Sequence, residues 1–547
     1  MSPLSMTHSS GRPGEDDPDA ACRPWQHVRV ILRGGHVVLP TGPPAAAVAL
    51  RDGRVLATGT EDEVRSAAPG AVEVDLEGRL VTPAFVDAHL HAVQAGQAAL
   101  GLDLHDVPSL AELLDRVRAA VRDTAPTSVL MGQGWDERRW PEGRPPTRSE
   151  LDEATGGRRA YLARVDVHSA VVSTALLDAL PDVTGQVGYR PDGLLSQDAH
   201  HAARGRMHTL PGADERREAA RTALRTAAAL GVGSVHELGG PHLGPLEDLT
   251  RVADEGRRLG MRVVTYWGEL AGPEAFARMR SVGARGLAGD LCIDGALGSR
   301  TALLREPYTD HPGRGAGYLS EDDVTEHLVA CTRAGVQGGF HCIGDDAVGI
   351  AIAGLRRTAE VLGDAPVRAA RHRLEHVEMI DPDDLPVLAR LGVVASVQPG
   401  FDAAWGGPDE LYVARVGPRA AAMNPFATLR RAGVLLAFGT DAPVTPLAGW
   451  APVRDAVQHW RPDQRLSVAA AFAAATVAGH AAAGDDGVGT LAVGAPASLA
   501  VWETEPSLLD TSTGLPRLHP GDHLPRCVAT LVDGRPVFED GLPGLQR

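Results

Sequence analysis

Val81-Thr-Pro-Ala-Phe-Val-Asp-Ala-His-Leu-His91 is a stretch in which a hydrophobic run follows a proline and ends in His-x-His. The run predicts a buried β-strand. Because strand side chains alternate between two faces, His89 and His91 are expected to point the same way at its carboxyl end. A (β/α)8 barrel places its chemistry at that end of its strands. Two neutral imidazoles that converge on one point suit a divalent metal such as zinc. The alternative interpretation of so short a motif is two surface histidines at a strand end.

Further strand-like segments follow along the chain, and alanine-rich amphipathic segments lie between many of them. This alternation of strand and helix patterns is typical of a parallel α/β fold. Together with the first strand, the segments make eight, which predicts a closed (β/α)8 TIM-like barrel over residues 83–483. The seven later strands are predicted at Gly233–Glu237, Arg262–Glu269, Asp290–Asp294, Gly338–His341, Arg371–His376, Val393–Gln398 and Leu435–Asp441.

Both ends of the chain have short β-like runs separated by turn residues. Residues 28–82 and 484–547 are therefore predicted to form one small composite β-sandwich domain, with two independent hairpins as the alternative. Residues 107–204 are too long for one barrel crossover and predict an inserted α+β segment on the active-site side, after barrel strand 1. Residues 1–27 are polar, acidic and rich in proline and glycine, and they predict a disordered tail.

Composition excludes several classes of protein. The 547 residues are 44% hydrophobic and 22% charged, which is normal for a globular protein. The net charge of −17 without a basic stripe argues against nucleic-acid binding. No run of about 18 apolar residues is present, so no membrane span is expected. Five cysteines without CxxC spacing favour a cytoplasmic location and argue against a thiolate metal site.

The chain contains no lysine, so all 53 basic residues are arginine. Arginine forms neither a carbamate nor a Schiff base as lysine does, which excludes lysine-dependent mechanisms.

Metal-ligating residue types stand at the carboxyl ends of several predicted strands. The fifth strand ends at His341, the sixth at His376 and the eighth at Asp441. Since those ends meet at one edge of a barrel, these side chains are expected to converge with His89 and His91 into a metal site.

The order HxH, His, His, Asp, closing in Gly439-Thr-Asp-Ala-Pro443, resembles the metal-dependent amidohydrolase superfamily and in particular its YtcJ-like group (amidohydrolase family 3). The resemblance extends over residues 28–545. Its further blocks are Gly134-Trp-Asp-Glu137, Trp140-Pro, Asp294-Gly-Ala-Leu-Gly-Ser-Arg-Thr301, His341-Cys-Ile-Gly-Asp345, Arg373-Leu-Glu-His376, Ser396-Val-Gln-Pro399 and Gly489-Thr-Leu-Ala-Val-Gly-Ala-Pro-Ala497.

The resemblance implies a hydrolytic metal site. In such enzymes His89, His91, His341 and Asp441 hold a metal, and His376 binds a second ion or steadies the substrate oxygen. Asp441 would act as general base and pass its proton to the leaving amine. The alternative role for Asp441 is that of a plain ligand.

Asp290 marks a departure from the family pattern. Many relatives carry at this position, four residues before the Asp-Gly, a lysine whose carbamate can bridge two metals. Asp290 either bridges two ions as a carboxylate or supports a single ion held by His89, His91, His341 and Asp441. We favour one tightly bound ion with a weaker second site. Zinc is the expected metal, although these ligand types also accept iron, manganese or cobalt.

Other polar residues are candidates for substrate contact or for structural roles. Six are candidates for substrate binding: Trp135, Asp136, His168, Asp294, Arg300 and Gln398. For Trp135 and Arg300 a packed or structural role is equally expected, and Asp294 has the alternative of fixing the following glycine-rich loop. His236 and Glu237 are candidates for orienting the ligands, whereas His200 and His201 are expected to be an exposed pair.

The function that follows is a metal-dependent hydrolase that cleaves a non-peptide C–N bond, such as an N-acyl or formyl amide, in a small molecule. A deaminase or cyclic-amide hydrolase is the alternative on the same site. A barrel that has lost turnover is the third hypothesis, and the missing lysine is the feature in its favour. The expected partners are a small-molecule substrate and a second copy in a homodimer, without nucleic acid or membrane.

Overall fold

The computed structural model describes residues 29–124, 128–207, 212–542 and 544–545. The predicted tail, residues 1–27, lies outside the described residues. Of the helices in the described part, none combines the length and the apolar composition that crossing a membrane requires.

The strands in the described residues are β1 (Val30–Val37), β2 (Ala45–Arg51), β3 (Arg54–Gly59), β4 (Val72–Asp75), β5 (Leu80–Pro83), β6 (Phe85–Leu90), β7 (Leu102–Asp103), β8 (Leu130–Trp135), β9 (Ala160–Arg164), β10 (Ser169–Val172), β11 (Leu194–Ser196), β12 (Val232–Gly239), β13 (Arg262–Trp267), β14 (Gly286–Leu287), β15 (Gln337–Cys342), β16 (Arg373–His376), β17 (Val394–Val397), β18 (Leu435–Phe438), β19 (Leu499–Glu503), β20 (Arg526–Val532) and β21 (Arg535–Glu539).

The α-helices in the same residues are α1 (Glu61–Ala67), α2 (Ala92–Leu100), α3 (Leu110–Asp123), α4 (Arg148–Thr155), α5 (Thr174–Leu177), α6 (Gln197–Met207), α7 (Ala213–Ala229), α8 (Glu247–Leu259), α9 (Pro273–Ser281), α10 (Glu321–Ala334), α11 (Asp345–Leu362), α12 (Asp364–Ala370), α13 (Leu385–Leu391), α14 (Pro399–Trp405), α15 (Leu411–Val416), α16 (Phe426–Arg431), α17 (Ala451–Val457), α18 (Val468–Ala474) and α19 (Val477–Ala482).

The central sheet is a TIM-like barrel whose strands run parallel in the order β18-β17-β16-β15-β14-β13-β12-β6. Every residue of β6 and β15 is buried, as expected for strands covered on both faces. The last strand returns to the first. The Asp441 N–H donates to the His89 carbonyl at 2.8 Å, and the His91 N–H donates to the Ala442 carbonyl at 3.1 Å. These bonds link the segment after β18 to the end of β6.

The fourth barrel strand is not where the sequence pattern places it. The prediction was Asp290–Asp294, but the strand is Gly286–Leu287. Gly289 has a φ of +94°, a conformation that suits glycine, and it turns the chain out of the sheet before Asp290. Beyond this turn, Cys292 forms only an isolated bridge with His341. Asp290 therefore lies on an irregular segment over the carboxyl edge, and its side chain is not positioned by strand alternation.

Strands from both ends of the chain share another sheet, in the order β21-β20-β19-β5-β1-β2-β3, with β4 paired to β1. This sheet contacts the barrel through Trp502 on β19, which packs edge-on against Phe85 of β6. A Cβ added to Gly231 would lie 2.1 Å from the Trp502 ring, so only glycine allows this close approach. The barrel and the terminal sheet thus share one hydrophobic cluster.

A third sheet, in the order β11-β10-β9-β8-β7, lies between β6 and β12 along the chain. It has its own buried cluster, which includes Trp135, Trp140 and Leu162. Its loop after β9 reaches the barrel, because the Ser299 hydroxyl donates to the Asp166 carboxylate at 2.8 Å. This contact places the neighbouring His168 close to the carboxyl edge of the barrel.

Candidate active site

Six candidate ligands are buried together at the carboxyl edge of the barrel. His89 lies on β6 and His91 directly after it, His341 is on β15, His376 ends β16, Asp290 follows β14 and Asp441 follows β18. Their exposed fractions range from 0% for His89 to 8% for Asp290, which excludes the alternative interpretation of His89 and His91 as surface histidines. His376 and Asp441 have φ values of +70° and +54°, where non-glycine residues are uncommon. The barrel holds both residues in a costly conformation at the site.

One group of side chains consists of His89, His91 and Asp441. Oδ1 of Asp441 lies 3.1 Å from Nε2 of His91 and 3.4 Å from Nε2 of His89. Asp290 faces the same two rings, with its carboxylate oxygens 3.2 Å from His91 Nε2 and 3.5 Å from His89 Nε2. Two imidazoles and two carboxylates therefore surround one small volume.

A second group, of His89, Asp290 and His376, shares His89 with the first, and its ligand atoms lie within 4.8 Å of one another. His341 is in neither group of the described residues, but its ring lies 4.5 Å from that of His376. Asp290 thus lies between the His89–His91 pair and the histidines on β15 and β16.

Several ligand atoms have no other hydrogen-bond partner among the described residues. These buried atoms are Nε2 of His89, Nε2 of His376 and Oδ1 of Asp290. Unpaired buried polar atoms are costly, so a cluster of them requires an explanation. A divalent cation bound by imidazole and carboxylate would satisfy these atoms, and the residues present fit such an ion.

Buried acceptors fix the opposite ring nitrogens. His89 Nδ1 donates to Glu375 at 2.8 Å, and His91 Nδ1 donates to the Leu238 carbonyl at 2.8 Å. His376 Nδ1 donates to Oε1 of Gln398 at 2.7 Å. These bonds fix the orientation of each ring and aim its Nε2 into the site, as metal ligation requires.

Arg373 supports this arrangement from below. It is completely buried and donates to both carboxylate oxygens of Glu375, at 2.5 and 3.0 Å. It also donates to the Ala88 carbonyl at 2.7 Å, beside His89. The sequence pattern Arg373-Leu-Glu-His376 contains Arg373, Glu375 and His376. The hydrogen bond between Glu375 and His89, however, depends on the packing of strands that are distant in sequence.

The electrostatics of the site favour a cation. Burial lowers the pKa of His91, but the Asp290 and Asp441 carboxylates outweigh this effect and raise the pKa to about 9. Burial also opposes ionisation of Asp441, yet the His89 and His91 imidazoles hold the pKa of Asp441 far below its ordinary value. The pKa of His376 falls to about 3 because the ring is buried and faces His341 and His89. Two buried carboxylates that stay charged need a positive partner, which a divalent metal supplies.

A cavity opens onto these residues. His341, His376 and Asp441 line it together with His168, whose ring lies 5.5 Å from His341. The other lining residues are Asp166, Ala296, Leu297, Gly298, Ile343, Glu378, Phe401, Trp405, Leu411, Tyr412 and Val444. Glu378 and Tyr412 escaped the sequence analysis, although the position of Glu378 two residues after His376 was a usable signal.

Two candidates for substrate contact have mainly local roles. Asp294 is completely buried and accepts backbone hydrogen bonds from Ile343 at 3.0 Å and from Gly344 and Leu303, both at 2.8 Å. Of the two roles considered for Asp294, this geometry favours anchoring of the loops. Gln398 uses its Oε1 on His376 but leaves Nε2 without a partner among the described residues.

Trp135, Asp136 and Arg300 are not brought to the cavity. The Trp135 indole N–H donates to the Leu162 carbonyl at 2.9 Å inside the inserted region, because the ring packs in that region's own core. Asp136 pairs with Arg138 at 2.6 Å and with Arg164 at 3.2 Å. Arg300 pairs with Asp310 at 2.7 Å. Their charges and polar atoms are thus engaged elsewhere.

Three residues near the ligands, His236, Glu237 and His200, can be compared with the environments that the sequence predicts for them. His236 lies on β12, with its ring 3.2 Å from Arg373, the residue that pairs with Glu375. Glu237 accepts a hydrogen bond from the backbone N–H of Ala92, next to His91, at 2.7 Å. Both residues therefore contact groups that adjoin the ligands. His200, expected at the surface, is completely buried and its Nε2 lies 2.8 Å from the Tyr161 hydroxyl. The expectation of an exposed pair was wrong, since α6 packs this side chain against the inserted sheet.

The chain matches one family model, described as "Amidohydrolase family", over residues 72–538. Among curated proteins it is 28% identical to "Protein LONG AFTER FAR-RED 3" of Arabidopsis thaliana, over 84% of each chain. It is 27% identical to "Putative amidohydrolase YtcJ" of Bacillus subtilis, over 79% of this chain and 84% of that protein. It is 25% identical to "N-substituted formamide deformylase" of Arthrobacter pascens, over 86% of this chain and 92% of that protein.

A similar solved structure is that of an uncharacterized metal-dependent hydrolase from Pyrococcus furiosus. The identity is 27% and the TM-score 0.69, over 87% of this chain and 99% of that one.

Proposed function

Because the chain belongs to the amidohydrolase family, matched over residues 72–538, we propose that it hydrolyses an N-acyl or formyl amide of a small molecule. The observation that carries this proposal is the cluster of buried imidazole and carboxylate groups, several with unpartnered atoms, of which His341, His376 and Asp441 line one cavity. The similarity to an N-substituted formamide deformylase, over most of both chains, supports a formyl or acyl amide as the bond cleaved.

His89, His91 and Asp441 would hold the first metal ion, and the chemistry that a bound divalent metal supplies is an acidified water and a polarised carbonyl. Asp441 is the proposed general base. Its carboxylate lies 3.1 Å from His91 and 3.4 Å from His89, at the proposed metal position, where it would accept the proton of the attacking water at Oδ and then release it to the leaving nitrogen. His376 is held by Gln398 and by the Phe401 ring, which stacks at 5.8 Å, and would steady the substrate oxygen or bind a second ion.

Asp290 would occupy the position of the missing bridging lysine. It lies 3.2 Å from His91 and also belongs to the group with His376. With His341 beside His376, this group offers a second ion position. We propose zinc in the first position and weaker binding in the second.

Elemental analysis combined with product analysis tests the proposal. Protein purified without added metal, its His89→Ala variant and a His519→Ala control would be compared for zinc per chain. We expect at least one ion per chain in the wild type and the control, because His519 is exposed and remote in sequence from the ligands, and little in His89→Ala. Asp290→Asn should lower the occupancy of a second ion more than that of the first.

A substrate panel then separates the reactions. Release of formate or a carboxylate from N-substituted amides is the expected result. Ammonia release from amino-heterocycles, or ring opening of cyclic amides without a second product, would instead identify the deaminase or cyclic-amide hydrolase. Absence of bound metal even after reconstitution would contradict the hydrolase and favour an inactive barrel.

A further inference from the structure

Part of the cavity wall has polar groups that neither the metal site nor the proposed proton transfer uses. Glu378 and Tyr412 line the cavity and are 3% and 1% exposed. Asn424 lies behind them, 2% exposed, and its backbone N–H donates to the Glu378 carbonyl at 2.9 Å. We refer to Glu378, Tyr412 and Asn424 as the polar subsite.

The polar subsite has unfilled hydrogen-bonding capacity. Oε2 of Glu378, the Tyr412 hydroxyl and Nδ2 of Asn424 are all buried without a well-formed hydrogen bond among the described residues, although the Tyr412 hydroxyl is near enough to Glu378 and Asn424 to interact with both. Each such group costs about 1–3 kcal/mol when it is left unsatisfied. Asn424 also adopts a φ of +49°, uncommon outside glycine although better tolerated by asparagine. Several costly features in one cavity wall indicate a site built for a ligand rather than for stability.

Apolar and aromatic side chains surround the polar subsite. Phe401 lies nearly parallel to the His376 ring, with an interplanar angle of 10°, and Trp405 packs 4.8 Å from Phe401. Leu411 and Val444 complete this part of the wall. Walls of this kind favour a flat, apolar group over an extended polar chain.

We propose that the polar subsite selects substrates in which a planar apolar group carries a hydrogen-bond donor, an N–H or O–H, that is bound by Glu378 and Tyr412. Glu378 offers an acceptor oxygen, and the Tyr412 hydroxyl both accepts and donates. The Asn424 amide lies beside the Tyr412 hydroxyl. This inference rests on the proposed function, because it takes the cavity beside the ligands to be the substrate cavity, and it specifies the substrate class.

Calorimetry with molecules that cannot be hydrolysed tests the subsite separately from turnover. The probes are 4-hydroxybenzyl alcohol and benzyl alcohol, which differ by one donor on the same ring. The wild type is expected to bind the hydroxylated probe about 10-fold more tightly, equivalent to about 1.4 kcal/mol. Glu378→Leu and Tyr412→Phe should each reduce this ratio to below about 3-fold, whereas Glu378→Gln, which keeps an acceptor, should retain part of it.

Tyr308→Phe is the matched control. It also removes a buried tyrosine hydroxyl, but that hydroxyl already donates to the Ala302 carbonyl at 2.8 Å and does not line the cavity. This variant should keep the full preference, and thermal melting would check that all variants fold. Equal binding of the two probes by the wild type would overturn the proposal. A preference that survives in both Glu378→Leu and Tyr412→Phe would do the same, as would a water that remains bound in the subsite of a probe complex.

Turnover of N-(4-hydroxybenzyl)formamide and N-benzylformamide distinguishes the two proposals. A higher kcat/KM for the hydroxylated amide, lost in Tyr412→Phe, is expected. If neither amide is hydrolysed while the calorimetric preference holds, the proposed reaction fails and the polar subsite stands. If both are hydrolysed equally and the probes bind equally, the reaction stands and the subsite fails.

Discussion

Asp441 faces His89 and His91 through its carboxylate, while its backbone N–H closes the barrel onto β6. Asp441→Asn keeps the size of the side chain and removes its capacity to accept a proton. We expect kcat to fall by about 10²–10⁴-fold, the usual contribution of a general base. Steady-state kinetics on metal-loaded protein, with zinc content measured in parallel, checks this. Unchanged kcat at full metal occupancy would show that Asp441 is a plain ligand.

Asp402 provides a pH test away from the ligands. Burial raises its pKa to about 7, although the backbone N–H of Trp460, which donates to the carboxylate at 3.2 Å, opposes the shift. The unfolded chain releases this proton near pH 4. Between about pH 4 and pH 7 the folded state therefore holds more protons than the unfolded state, so this residue makes the free energy of unfolding fall as pH rises.

Asp402→Asn should remove that dependence. The free energy of unfolding of the wild type, measured by urea titration relative to the variant, should decrease from pH 4.5 to about 7 and then level off. A difference that is constant over this range would contradict the raised pKa of Asp402.

At the scale of elements, β16 contributes both a buried ion pair to the barrel interior and a candidate ligand to the cavity. Arg373 and Glu375 point to the inside of the barrel and form a buried ion pair, while the next residue, His376, faces the cavity. Arg373→Met leaves the Glu375 carboxylate buried without its partner. We expect a loss of about 3–5 kcal/mol in the free energy of unfolding, as for other broken buried pairs.

The exposed pair Arg390–Asp364 is the control for this prediction. Arg390→Met removes the same kind of charge at the surface and should cost about 0–1 kcal/mol. Denaturant unfolding of both variants gives the comparison. Similar losses in the two variants would mean that the buried pair contributes no more than a surface one.

At the scale of the whole molecule, the terminal sheet and the barrel are joined through Trp502. Its ring packs on Phe85 and Trp450, and its indole N–H donates to the Thr82 hydroxyl at 2.9 Å. Trp502→Ala should lower the free energy of unfolding by about 3–5 kcal/mol, the range for large-to-small changes in a core. Val493→Ala, at a residue 67% exposed, should change it by less than about 0.5 kcal/mol.

The number of transitions adds a second readout. Because the two parts share one hydrophobic cluster, fluorescence and circular dichroism should report the same unfolding midpoint in the wild type. Separate midpoints would show that the terminal sheet unfolds independently of the barrel.

The sequence by itself determined the family, the enzyme class and the parallel barrel. The barrel depends on local signals, namely hydrophobic runs of strand length, helices between them and ligand residues at strand ends, whereas the family and the enzyme class came from the resemblance of several sequence blocks to the amidohydrolase superfamily. The family resemblance and the C–N hydrolase class were confirmed by the comparisons. Strand alternation also anticipated that His89 and His91 share a direction, and the carboxyl-edge rule anticipated that His341, His376 and Asp441 lie near them.

Only the tertiary structure decided which polar residues meet. Strand pairing joins His89 to Glu375, 286 positions away, and loop packing turns Asp290 toward His91 from outside the sheet. The same long-range packing engages Trp135, Asp136 and Arg300 in contacts away from the cavity, and it also buries His200. Glu378 lies in the turn after β16 and Tyr412 lies on α15. No helix or strand periodicity in the sequence connects these two positions. A contact between side chains distant in sequence depends on how whole elements pack, and a one-dimensional pattern does not contain that information.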